Sequence, residues 1–155
     1  YICNLQGDEP LIKPESIDEV IKNVKEDDNA DISTLVRVLT DVEEINNPNL
    51  VKCVRDINGF ALYFSRSKIP FERNTGIATF YGHLGIYGYK RKALESMTTL
   101  AQTPLEKTES LEQLRALEHG MKIKTSVVDF VPVGIDTRED LEKFKQIVEK
   151  KLSKI

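Results

Sequence analysis

The dipeptide Asn58-Gly59 constrains this chain more than any other feature. It lies between two short apolar runs, Leu50 to Arg55 and Phe60 to Ser65, and Asn-Gly in that setting is a hairpin signal. The two runs are therefore expected to pair antiparallel. Around them, helical and extended patterns alternate, as in an α/β domain. Pro14 opens a helix whose Ile17, Val20, Ile21 and Val24 recur at helical spacing. Ile32 to Leu39 reads as a strand, and Asp41 to Ile45 as a short helix stopped by Asn46-Asn47-Pro48-Asn49. Phe80 to Tyr89 reads as a strand rich in Gly and Tyr, and Arg91 to Ala101 as a helix. A single helix is expected from Thr103 to about His119, with Gly120 as its C-cap. A last strand falls within Lys122 to Val133. A closing helix follows the capping-box variant Thr137-Arg138-Glu139-Asp140 and carries Leu141, Phe144, Ile147, Val148 and Leu152 on one face. The expected fold is α/β: a mixed, mainly parallel sheet flanked by helices.

At 155 residues the chain suits one such domain, residues 1–155. A net charge of −3 and a pI near 5.5 argue against a nucleic-acid surface. No apolar run approaches the roughly 20 residues that span a membrane, and no secretion signal is visible. Cys3 and Cys53 are far apart inside apolar runs and read as reduced core residues, which points to a cytoplasmic protein.

The opening stretch Tyr1 to Pro10 reads as a buried strand that ends in Gly7-Asp8. Asp8 is either an ordinary turn aspartate or a carboxylate delivered to the ligand-binding edge of the sheet. Asp136, where a strand hands over to the last helix, has the same two readings: support for a helix N-terminus, or a second carboxylate facing a ligand. Two hard oxygen ligands of this kind suit Mg²⁺. Arg66 and Arg73 flank Pro70; either could be a solvated loop arginine, but Arg66 stands at a strand end, where a guanidinium can meet carboxylate or phosphate. His83, Gly85 and Tyr87 alternate on one strand and share a face. Gly85 leaves a gap there for a small polar ligand, unless His83 and Tyr87 are simply satisfied by neighbours. Glu109, Glu112 and Gln113 share a helical face, either solvated or at a core boundary. No phosphate loop, Gly-x-Gly-x-x-Gly turn, zinc spacing or Gly-x-Ser-x-Gly elbow occurs.

Seven blocks in order resemble the 3-deoxy-manno-octulosonate cytidylyltransferases, or CMP-Kdo synthetases. They are Leu5 to Pro10, Asn47 to Lys52, Ala61 to Arg66, His83 to Tyr89, Pro104 to Glu106, Leu111 to Arg115, and Gly134 to Thr137 with Glu139 to Leu141. The resemblance implies a nucleotide-diphospho-sugar transferase-like fold. It also implies transfer of a cytidylyl group from CTP to Kdo, giving CMP-Kdo and pyrophosphate for lipopolysaccharide biosynthesis. By carry-over, Asp8 and Asp136 are the catalytic and metal-binding residues, with Mg²⁺ as cofactor. Arg66, His83, Tyr87, Glu112 and Gln113 line the sugar-acid pocket, with Arg66 toward the Kdo carboxylate. A homodimer is implied by the resemblance alone. The alternatives are a related sialic acid cytidylyltransferase, or a non-catalytic module of the same fold. The family usually has a basic residue where Gly82 stands, so less charge is expected at that end of the pocket. The family's N-terminal CTP-phosphate loop has no counterpart in the sequence. The chain is therefore expected to be the C-terminal part of a longer enzyme, with little or no transfer activity alone.

Overall fold

The computed structural model describes residues 1–7, 10, 12–130, 135 and 137–152. In chain order its elements are β1 (Ile2–Asn4), α1 (Pro14–Glu26), β2 (Ile32–Leu39), α2 (Val42–Asn46), β3 (Lys52–Arg55), β4 (Ala61–Ser65), β5 (Phe80–Tyr89), α3 (Arg91–Thr99), α4 (Pro104–Glu109), α5 (Gln113–Glu118), β6 (Ile123–Val128) and α6 (Arg138–Leu152). Strand β5 is the spine of the sheet. Strand β2 follows one edge of it from Leu39 opposite Phe80 to Ile32 opposite Tyr89. The other edge is shared: β3 pairs with Tyr81 and Gly82, and β1 with Tyr87, Gly88 and Tyr89. The remaining strands extend this into the order β4-β3-β5-β2-β6.

The sheet is mixed, as expected, and helices flank it. It is not mainly parallel, however. Among the described residues only β2 and β6 run parallel, while the other four pairings are antiparallel. Parallel neighbours need a long crossover, and here everything from α2 to α5 stands between β2 and β6 in the chain. The Asn58-Gly59 hairpin forms as the sequence predicts. The Asp56 carboxylate accepts from the Asn58 and Phe60 amides at 2.9 and 2.8 Å, and Gly59 takes a φ of 82°.

Alternation along β5 separates two functions. Phe80, Gly82, Leu84, Ile86 and Gly88 are buried, and Leu84 and Ile86 pack with Val20 of α1 and Leu35 of β2. Tyr81, His83, Gly85, Tyr87 and Tyr89 are half-buried on the opposite face. There Phe64, Cys53, Ile32, Val36 and Ile123 meet Ala93, Leu111, Leu114 and Ala116 of the α3 to α5 layer. The two lone cysteines are free, as expected.

Gly88 marks the tightest approach of α1 to the sheet. A Cβ on Gly88 would lie 2.5 Å from the Val20 carbonyl oxygen and 2.6 Å from Ser33 Oγ. Gly88→Ala is expected to destabilise the fold by about 1–3 kcal/mol, as overpacking against backbone does. A thermal melt checks this, and an unchanged midpoint would show that α1 slides away without cost.

Two other expectations change. The opening strand is short and not buried, with Ile2 and Cys3 half-buried and Asn4 exposed. The helix expected from Thr103 to His119 is broken: Ser110 takes φ 54° and ψ 50°, and α5 restarts at Gln113. No described helix is long and apolar enough to cross a membrane.

Candidate functional site

A cleft of about 280 Å³ opens on the half-buried face of β5, between β1 and the α4–α5 break. Its polar wall comprises Gln6, Tyr87, Tyr89, Glu112 and Gln113, with Ile32 and Leu111 beneath. Three of the sequence candidates, Tyr87, Glu112 and Gln113, thus meet in one cavity. The break at Ser110 is what brings the last two there. Leu111 enters the core beside Leu114, Glu112 stays exposed at the start of α5, and Gln113 turns inward to 8% exposure. Among the described residues, the Gln113 amide and the Tyr87 hydroxyl make no hydrogen bond.

Arg66 and His83 do not line this cleft but adjoin it, Arg66 through its bond to Ser110 and His83 through its contact with Tyr87. Arg66 leaves the end of β4 and donates three hydrogen bonds to backbone carbonyls. Its Nε reaches Glu109 O at 2.8 Å, Nη1 reaches Pro48 O at 3.2 Å, and Nη2 reaches Ser110 O at 3.4 Å. It therefore fastens the Ser110 break to the Asn47 to Leu50 loop. A guanidinium carries five N–H groups, so two remain for a ligand. Arg73 is exposed. Glu109 points away from the cleft: its carboxylate accepts from Ser65 Oγ at 2.6 Å and from the Arg66 amide at 3.0 Å. The shared helical face expected for Glu109, Glu112 and Gln113 does not exist, because Ser110 divides it.

His83 lies between aromatic rings, edge-on to Phe64 at 5.1 Å and tilted against Tyr87 at 5.4 Å. Burial pulls its pKa down to about 4, so the ring is neutral at physiological pH. Burial also raises the Tyr87 phenol, with Tyr89, Glu112 and Cys53 adding to the effect. The Tyr89 phenol is pushed up to about 12 by burial and by Glu112. Both phenols are thus protonated hydrogen-bond donors.

Two details of the sequence reading are overturned. The gap over Gly85 is covered, because the Gln6 side-chain amide lies where a Cβ would be, its Oε1 3.0 Å away. A basic residue at position 82 would not charge the pocket either. A Cβ there meets Leu39 Cδ2 at 2.8 Å on the opposite face from His83. That face already carries two cations opposite Gly82 in the flanking strands, Arg37 and Lys52. Arg37 pairs with Glu44 at 2.6 Å, and Lys52 Nζ donates to Asn47 O and Leu50 O at 2.7 and 2.6 Å. Asp8 and Asp136 lie outside the described residues. Among the described residues, no cluster of three His, Cys, Asp or Glu could hold a metal ion.

A family model described as cytidylyltransferase matches residues 1–123. The chain belongs to the cytidylyltransferase family. It is 50% identical over 147 residues to the 3-deoxy-manno-octulosonate cytidylyltransferase of Thermodesulfovibrio yellowstonii, covering 91% of this chain and 57% of that protein. It is 47% identical over 154 residues to the enzyme of the same name from Chloroherpeton thalassium, covering 97% of this chain and 63% of that protein. The solved structure of a CMP:2-keto-3-deoxy-manno-octonic acid synthetase complexed with CTP superposes with a TM-score of 0.90 at 37% identity. That match covers 96% of this chain and 61% of the solved one. The chain thus spans about six-tenths of the length of these relatives.

In this cytidylyltransferase chain, sequence reasoning missed the lining role of Gln6 and Tyr89 and the bracing role of Glu109. The Tyr89 signal was available, since it continues the alternation of His83, Gly85 and Tyr87. The positions of Gln6 and Glu109 depend on contacts between distant elements and had no local signature.

Proposed function

We propose that this chain is the sugar-acid-binding part of a 3-deoxy-manno-octulosonate cytidylyltransferase. That enzyme transfers the cytidylyl group of CTP to the anomeric 2-hydroxyl of Kdo and releases pyrophosphate. The observation that carries the reading is the cleft that gathers Tyr87, Glu112 and Gln113, in which the Gln113 amide and the Tyr87 hydroxyl have no hydrogen-bond partner among the described residues. An amide and a phenol that face an open cleft with their hydrogen-bonding capacity unused suit a polyhydroxylated ligand. The names of the relatives supply the particular sugar acid.

In this reading Glu112 accepts from sugar hydroxyls, Gln113 both donates and accepts, and Tyr87 donates. Arg66 offers its two remaining N–H groups to the carboxylate. The neutral His83 ring is suited to a hydroxyl rather than to an anion. These contacts hold the 2-hydroxyl in line with the α-phosphorus. A new O–P bond forms as the bond to pyrophosphate breaks, and the hydroxyl proton leaves to solvent. Asp8 and Asp136 are the residues that would hold Mg²⁺, and as two hard-oxygen donors they fit an ion that takes its other ligands from water and phosphate. When bound, such an ion neutralises charge on the phosphates. A cytoplasmic homodimer belongs to the same proposal.

Ligand-observed saturation-transfer NMR with Kdo tests it. Kdo is expected to receive saturation from the wild-type chain, and Gln113→Ala is expected to weaken binding by roughly tenfold. Equal transfer in the variant would remove Gln113 from the site. Stronger transfer to a sialic acid than to Kdo would change the substrate.

A further inference from the structure

Thr34 is fully buried in β2, and three acceptor-capable atoms converge on its hydroxyl. His83 Nε2 lies at 2.9 Å, Ile86 O at 2.8 Å and Leu84 O at 3.1 Å. The cause is a bulge in β5. Thr34 pairs with Tyr87 and Leu35 with Leu84, so Gly85 and Ile86 are extra residues on β5. Two extra residues preserve the alternation of faces, but they disturb the ladder around the Leu84 and Ile86 carbonyls. Only a donor can satisfy those carbonyls, and a threonine hydroxyl has a single proton. With that proton directed to the carbonyls, the oxygen is left to accept from the imidazole.

We propose that Thr34 is a positioning residue that holds His83 as the Nε2–H tautomer and thereby reserves Nδ1 as an acceptor for a ligand hydroxyl. The opposite tautomer would set a lone pair on Nε2 against Thr34 and take the hydroxyl proton from the carbonyls of the bulge. Among the described residues, Nδ1 has no hydrogen-bond partner. The ring is held in plane by Phe64 and Tyr87 at 5.1 and 5.4 Å. Its low pKa keeps it neutral, so the choice of tautomer decides what it can offer. The identity of the ligand hydroxyl rests on the Kdo reading above, whereas the tautomer does not.

Long-range ¹H–¹⁵N correlation of the imidazoles separates the two. The chain has two histidines, and His119, exposed at the end of α5, serves as the reference signal. Wild type and Thr34→Ser are expected to show His83 with a protonated Nε2 and an unprotonated Nδ1. Thr34→Val is expected to lose that pattern to a tautomer mixture and to bind Kdo about tenfold more weakly, whereas Thr34→Ser binds within about twofold of wild type. If Thr34→Val does not fold, wild type and Thr34→Ser still decide the matter. A protonated Nδ1 in wild type, or an unchanged pattern in folded Thr34→Val, overturns the proposal. A correct tautomer whose Nδ1 resonance ignores added Kdo, while Kdo binds elsewhere on the chain, overturns the ligand-acceptor half alone. A correct tautomer with no Kdo binding at all instead rejects the substrate reading.

Discussion

Glu106→Ala is expected to destabilise the chain by about 3–5 kcal/mol, the cost of stranding one partner of a buried ion pair. Glu106 is 3% exposed on α4 and receives the Arg115 fork, with Nε on Oε2 at 2.8 Å and Nη2 on Oε1. Arg115 also donates to Met97 O at 3.1 Å at the end of α3, and Glu106 accepts from the Thr103 amide at 3.2 Å. The pair thus ties together α3, α4 and α5, the layer that carries Glu112 and Gln113. Hydrogen bonding from Arg115 lowers the Glu106 pKa, while hydrogen bonding from Glu106 raises that of Arg115. Urea denaturation checks the figure. The double variant Glu106→Met, Arg115→Met is expected to recover most of the loss, because replacing a whole buried pair by apolar groups is often neutral. A single-variant loss below about 1 kcal/mol would place this pair with solvated surface bridges.

Acid sensitivity from His83 is the second large effect. Its folded pKa is about 4 against an ordinary 6.5. Below 6.5 the unfolded chain takes up a proton that the folded chain refuses, so stability falls as pH drops and is complete only above 6.5. The difference amounts to about 3 kcal/mol across the window, with about 2 kcal/mol already lost at pH 5. For a chain of this size that corresponds to a melting point lower by about 4–8 °C at pH 5 than at pH 7.5. His83→Gln, which cannot titrate, is expected to flatten that interval. Equal slopes in wild type and variant would mean that His83 ionises normally.

Much of the sheet was legible because its signals are local. The bounds of β5 follow from its composition and alternation, and the Asn58-Gly59 turn follows from two residues. Direction was not legible, since whether β5 runs against β2 depends on the connection between them. The break at Ser110 had no Gly or Pro to announce it. It is held by Arg66 and Glu109, 44 and one residue away in sequence, through contacts that no periodicity encodes. For the site, residue types and strand ends led to Tyr87, Glu112 and Gln113, which share the cleft. They also led to Arg66 and His83, which adjoin it, and to Asp8 and Asp136, outside the described residues. Thr34 escaped notice because a threonine in an apolar strand looks like ordinary β-propensity until the bulge opposite it is seen.

The alternation along β5 also sets how this protein can be diversified. Positions 81, 83, 85, 87 and 89 form one register and positions 80, 82, 84, 86 and 88 the other. Of the first set Tyr87 and Tyr89 line the cleft, while α1 is seated on the second. A combinatorial library confined to positions 87 and 89 should therefore yield more folded members with altered ligand preference than the same library shifted to positions 86 and 88, where Ile86 is core and Gly88 abuts α1.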